Sequence, residues 1–282
     1  MKELYQKIKE HIENADAILI GASNGLSISE GYNIFADDNW FQENFGDFRS
    51  KYGIHSVLEG AFYSFPTEEE KWAFSSRLIS RKCYLEQPSR MMKDFYELVS
   101  GKDCFIVTSN TEDLFVPAGF SRDQVFEMEG RMTQSRCASD CCEDVYENRE
   151  DVLRMAEAEK NGLVPSELIP RCPRCGSPLT VNFADSQMFF QTRQFQSKMQ
   201  DYQNFVWKYH GKNLVILELG VGWRNRIIKE PLMQLAASEP NAVYITFNKG
   251  EVYIPAEIQE KSIGVDGDIA EALHKILRTE IM

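Results

Sequence analysis

Five short apolar segments, each set between turn or helix signals, constrain this chain more than any other feature: residues 16–20, 104–108, 125–128, 214–219 and 242–247. All but one are rich in β-branched or aromatic residues, as buried strands are. Helical patterns lie between and after them; in the last, residues 268–278, Ile269, Leu273 and Ile276 fall on one face. Near-continuous apolar strands must be covered on both faces, and strands alternating with helices run parallel. The expected architecture is α/β, a doubly wound Rossmann-like parallel sheet.

With 282 residues there is material for one large domain, or a large domain with a small insert. The 43% hydrophobic and 26% charged content is that of an ordinary globular protein. A net charge of -12 lacks the basic footprint needed to grip a phosphate backbone, so nucleic acid is not an expected partner. In MKELYQKIKEHIEN, Leu4, Ile8 and Ile12 recur at helical spacing between charges, which reads as an amphipathic helix rather than a signal peptide. No run approaches the roughly 18 apolar residues of a membrane span. A cytoplasmic chain is expected, in which clustered cysteines hold metal rather than form disulfides.

From 136 to about 190 the strand–helix alternation lapses, and five of the seven cysteines fall there. Residues 131 to about 180 read as a small zinc-binding insert. Residues 33–93 are rich in Phe, Tyr and Trp and read as a helical lobe over a cleft. That leaves a core of 1–32, 94–130 and 205–282. Cys137 and Cys141 form a C-x3-C pair; Cys172 and Cys175 form a C-P-x-C-G knuckle. Two chelating pairs suit tetrahedral thiolate zinc, and four protein ligands make the site structural, with no open position. Cys142 leaves a C-x4-C pairing open, while Cys83 and Cys104 read as buried thiols.

The segment AILIGASNGLS places Gly21 and Gly25 in a turn after the first strand, with Gly31 beyond. In a Rossmann unit such a turn lets backbone N–H groups approach a pyrophosphate at a helix N-terminus. The same letters match G-x-S-x-G, the nucleophile elbow of α/β-hydrolases, which would make Ser23 a nucleophile with His210 or His274 as base. Position speaks against it: the second oxyanion N–H of that fold comes from an earlier loop, and only about twenty residues precede this turn.

Taken in order, these features resemble the sirtuin family over nearly the whole chain. Ser23-Asn24-Gly25-Leu26-Ser27 stands where sirtuins carry G-A-G-I-S, Thr108-Ser109-Asn110 stands for T-Q-N, and Glu127-Met128-Glu129-Gly130 for E-L-H-G. Gly220-Val221-Gly222 matches G-T-S, and Asn248 the asparagine that closes the penultimate strand. KWAFSSR, VPSELIPRCPRCGSPL, LELGVG and EPNAVYITFNKGEVYIP resemble the class M branch of microbial sirtuins. The resemblance implies a single catalytic unit that uses NAD as co-substrate and carries zinc. NAD would be held by Ala22, Ser23, Asn24, Gly25, Ser27, Gly31, Tyr32, Ser109, Asn110, Gly220, Val221, Gly222, Asn248 and Ile269. It further implies ADP-ribosyl transfer to a protein, with a lipoyl-carrier protein as acceptor and a macrodomain hydrolase that removes the mark.

Three departures bear on the chemistry. Glu129 replaces the usual catalytic histidine, Ser109 replaces a glutamine, and Gly31-Tyr32-Asn33-Ile34-Phe35 stands in place of G-I-P-D-F-R. An ordinary carboxylate, with a pKa of about 4.3, is a weak base unless burial raises it. It suits another step better: breaking the nicotinamide–ribose bond develops positive charge that a carboxylate stabilises. Glu129 and Asn110 are therefore the expected catalytic pair, Asn110 positioning the ribose or a water. A deacylase with an altered centre and a non-catalytic NAD or ADP-ribose sensor are the alternative readings.

Overall fold

The computed structural model describes residues 2–280. Its strands are β1 (Ala17–Ala22), β2 (Asp103–Thr108), β3 (Val125–Glu127), β4 (Gly130–Cys137), β5 (Val145–Glu147), β6 (Leu179–Phe183), β7 (Leu214–Leu219), β8 (Val243–Asn248) and β9 (Ser262–Asp266). Six form one parallel sheet in the order β3-β2-β1-β7-β8-β9. All five segments expected to be strands are in it. The sixth member, β9, pairs only with β8. Gly264 and Asp266 dilute its apolar run, which a strand at the sheet edge tolerates.

Side chains of β1 alternate between two cores. Ile18, Ile20 and Ala22 join Ile8, Ile12, Phe95 and Leu273 on one face. Ala17 and Leu19 join Phe205, Ile216 and Leu232 on the other. Each face thus has its own helical cover, which is why the strands read as unbroken apolar runs. After β1 the chain builds outward through β2 and β3, then returns to lay β7 against the other side of β1. Ala22 is level with Thr108 on one side and Leu219 on the other. This reversal creates a crevice at the carboxyl ends of β1 and β7, where open α/β sheets bind ligands.

The remaining strands form an antiparallel sheet in the order β5-β4-β6. Helices Asn39–Tyr52 and Glu68–Ile79 share a core with it. Phe41, Phe45, Phe48, Trp72 and Phe74 pack in one cluster with Met132, Val152, Leu179, Val181, Cys137 and Cys172. The Phe45 and Phe74 rings lie 4.5 Å apart, and the Trp72 indole donates to the Leu179 carbonyl at 3.2 Å. The aromatic richness of residues 33–93 supplies a core that a short cysteine segment could not build alone. Asp38, Ser56, Thr67 and Ser89 cap the helices that begin after them, each accepting a backbone N–H. No helix among the described residues is long and apolar enough to cross a membrane.

Candidate active site

Two turns meet at the crevice. The Gly25 amide donates to the Gly220 carbonyl at 2.9 Å. A Cβ at Gly25 would fall 2.6 Å from the Gly220 Cα, and one at Gly220, where φ is +62°, would fall 2.3 Å from the Leu26 nitrogen. These two glycines are therefore needed for the turns to touch each other, before any ligand arrives. The Asn248 amide donates to the Val221 carbonyl at 3.0 Å, tying the end of β8 to the same place. Ile269 opens the helix Ile269–Arg278 with its side chain in the core, leaving only backbone to offer a ligand. Tyr32 is also buried; its hydroxyl has no partner among the described residues, and the Lys82 ammonium lies 4.7 Å from its ring centre.

Ser23 and Ser109 follow β1 and β2, and their hydroxyls are 2.9 Å apart. Asn225, which no sequence motif singled out, donates to both, at 2.9 Å and 2.8 Å. Ser23 therefore bonds no histidine: His210 pairs with Glu239 and His274 with Asp94. That arrangement removes the hydrolase elbow as a reading.

Asn110 is fixed on both sides of its amide. Its oxygen accepts from the Thr108 hydroxyl at 2.8 Å, and its nitrogen donates to Ser27 at 2.6 Å and to Glu112 at 3.2 Å. Glu112 accepts as well from Ser27 and from the Thr111 amide. At 4% exposure it is a buried carboxylate beside the expected catalytic asparagine. The only hint in the sequence was an acid two residues after T-S-N.

Glu129 stands in the loop between β3 and β4, open to a cleft of about 360 Å³. No described residue hydrogen-bonds its carboxylate, and desolvation by the protein around it raises its pKa above the ordinary glutamate value. Asn24, Ser109, Thr111, Glu112 and Glu129 supply the polar part of the cleft lining. Phe35, Leu58, Phe62 and Ile227 supply an exposed apolar rim. Of the expected NAD-binding residues only Asn24 and Ser109 line this cleft; Asn110 meets it through Glu112.

The Sγ atoms of Cys137, Cys141, Cys172 and Cys175 all lie within 4.8 Å of one another. Cys137 to Cys175 and Cys141 to Cys172 are each 3.5 Å. A tetrahedral zinc with Zn–S bonds of about 2.3 Å needs S–S edges of about 3.8 Å, so the four thiols fit that ion. In the knuckle, the Cys172 amide donates to the Ser177 carbonyl, and Gly176 takes the left-handed conformation at φ +76°. Hydrogen bonds from Ser177 draw the Cys175 thiol down to about 6, toward the thiolate that metal binding requires. Cys141, not Cys142, completes the set; Cys142 lines a separate cavity behind it.

No family model matches the chain. A protein ADP-ribosyltransferase of Staphylococcus aureus is 32% identical over 276 residues, covering 97% of this chain and 87% of that protein. A probable bifunctional ADP-ribose hydrolase/ADP-ribosyltransferase of Fusarium oxysporum is 27% identical over 95% of this chain, which spans 47% of that longer relative. Among solved structures, a Sir2 homologue–NAD complex superposes with a TM-score of 0.62 at 18% identity, covering 97% of this chain and 92% of the other. A Sir2 protein bound to a propionylated peptide gives 0.58 at 15% identity, with 96% of each covered. Sharing the sirtuin fold with the latter pair and nearly its full length with the staphylococcal enzyme, the chain belongs to the sirtuin-like protein ADP-ribosyltransferases.

Proposed function

We propose that the protein transfers ADP-ribose from NAD to a lipoyl-carrier protein, releasing nicotinamide, and that an ADP-ribose hydrolase of macrodomain type removes the mark. One observation carries this reading: Glu129, whose pKa is raised, and Glu112, which accepts from Asn110, line a single cleft with an apolar rim. NAD would lie across the carboxyl ends of β1, β2 and β7, where buried hydroxyls and turn amides converge. As the bond between ribose C1′ and the nicotinamide nitrogen breaks, its electron pair leaves with nicotinamide. Glu129 would stabilise the positive charge left on the ribose. The acceptor nucleophile then bonds C1′, and Glu129, its pKa raised by desolvation, is suited to receive the proton it sheds.

Asn110 would hold the ribose, since Thr108 and Glu112 leave its amide little freedom to turn. The rim of Phe35, Leu58, Phe62 and Ile227 suits an aliphatic arm such as a lipoyl group better than a charged peptide. The fungal relative's name couples an ADP-ribose hydrolase to a transferase in one chain, which supports a hydrolase as functional partner.

The test follows free nicotinamide from NAD with the carrier protein in lipoylated and unlipoylated forms. Release is expected to be at least tenfold faster with the lipoylated form. Equal release with both forms would remove the lipoyl group from the recognition, and release at the no-carrier rate would remove the carrier as acceptor.

A further inference from the structure

A second cavity, of about 300 Å³, backs onto the wall of the Glu129 cleft. The same two stretches of chain supply both linings. From 126–132, Met128, Glu129 and Met132 line the cleft, whereas Glu127, Gly130 and Arg131 line the second cavity. From 182–190, Phe183, Ala184 and Phe190 go to the cleft, and Asn182, Met188 and Phe189 to the second cavity. The stretches are bonded to each other: Gly130 is level with Phe183, and the Ala184 amide donates to the Glu129 carbonyl at 3.0 Å. Paired backbone therefore separates the two spaces, and no lining residue is common to both. The second cavity is a site of its own.

Its acceptors are spent and its donors are not. Glu127, Asp140, Glu143 and Glu147 reach it, but each is already paired with an arginine. Asp123 is exposed. The amide oxygen of Gln134 is shared by Asn182 and Gln194. Lys198, half-buried, donates to the Arg122 and Asp123 carbonyls at 3.0 Å and forms no ion pair with a described carboxylate. An ammonium has three protons, so one is left over. Burial draws the Lys198 pKa below the ordinary lysine value, a cost that a bound anion would offset. Arg131, 8% exposed, gives Nη2 to Glu147, and its Nε has no partner among the described residues. Much of the remaining wall is apolar: the Phe126 and Phe189 rings pack against Phe195 at 5.1 Å and 5.6 Å. The volume lies at the lower end of the range for small-molecule sites, about 300–1,000 Å³. We propose that this cavity binds a small organic monocarboxylate, its acid held by Lys198 and its aromatic or short hydrocarbon body laid against Phe126, Phe189 and Phe195. The proposal stands independently of the NAD reading.

The experiment titrates the full-length protein, isotope-labelled at its methionine methyls, with phenylacetate, phenylacetamide and inorganic phosphate. Met188 lines the second cavity and Met128 the Glu129 cleft, so their resonances report where a ligand sits. Phenylacetate should shift Met188 saturably and leave Met128 in place. Lys198→Met should weaken that binding about 10- to 100-fold, the worth of a hydrogen bond to a charged group. Lys198→Arg, which keeps the charge, should bind within about threefold of the parent. Both variants should keep the parent's other methyl resonances, as folded proteins do. Phenylacetamide has the same shape without the charge; it should bind the parent at least about tenfold more weakly and be indifferent to Lys198→Met. Phosphate, which has no apolar body, should leave Met188 unmoved. The proposal is overturned if phenylacetate fails to shift Met188 or shifts Met128 in its place. Binding that survives Lys198→Met, or that phenylacetamide or phosphate matches, would overturn it as well.

Discussion

Glu129→Gln is expected to slow nicotinamide release from NAD by about 10²-fold or more, as when a preorganised electrostatic contact is lost. NAD affinity should change little, because charge on the ribose develops only in the transition state. The pH profile gives a second signature. Desolvation raises the Glu129 pKa, so the charged form is lost as pH falls through that raised value. The acid limb of the rate profile should therefore lie above the ordinary glutamate value of about 4.3, and should vanish in the glutamine variant. Restoring a histidine with Glu129→His should leave acetyl-lysine peptide turnover near background, because Gly31 to Phe35 also departs from the sirtuin pattern. Full activity in the glutamine variant would make Glu129 a bystander and move the chemistry to Asn110 and Glu112.

Cys172→Ser should have the largest effect on stability. Structural zinc contributes about 10–16 kcal/mol in small zinc-binding peptides, comparable to the whole stability of a typical domain. Cys172 and Cys137 also belong to the apolar cluster of Trp72, Phe45 and Phe74. Loss of the ion is therefore expected to loosen the helices Asn39–Tyr52 and Glu68–Ile79 as well as the cysteine module. Metal content should fall from close to one zinc per chain to near none, with a lower melting temperature. Cys142→Ser should keep the metal, since its thiol stands outside the set of four. Zinc retained in the Cys172 variant would contradict the assignment.

The sheet was legible in the sequence because strands covered on both faces are apolar at successive positions, as Ala17 to Ala22 are. β9 was not, because an edge strand can carry Gly264 and end on an acid. Cysteine spacing announced the metal site but could not choose between Cys141 and Cys142. That choice is made by the turn after β4, where Asp140 takes a positive φ of +48° just before Cys141. The candidate site was only partly legible. Ser23, Ser109 and Glu129 stand in recognisable turns after β1, β2 and β3. Glu112 and Asn225 occur in loops where acids and amides are ordinary; what distinguishes them is a tertiary fact, the burial of one and the double donation of the other. Gly25 and Gly220 read as room for a ligand, whereas their hydrogens face each other across two touching turns.

The most direct measurement is the intact mass of two candidate substrates after incubation with the protein and NAD: a lipoylated carrier protein and an acetyl-lysine peptide. The account predicts that the carrier gains one ADP-ribose, with an equal amount of nicotinamide released, while the peptide keeps its acetyl group. A peptide that loses its acetyl group beside a carrier of unchanged mass would contradict it.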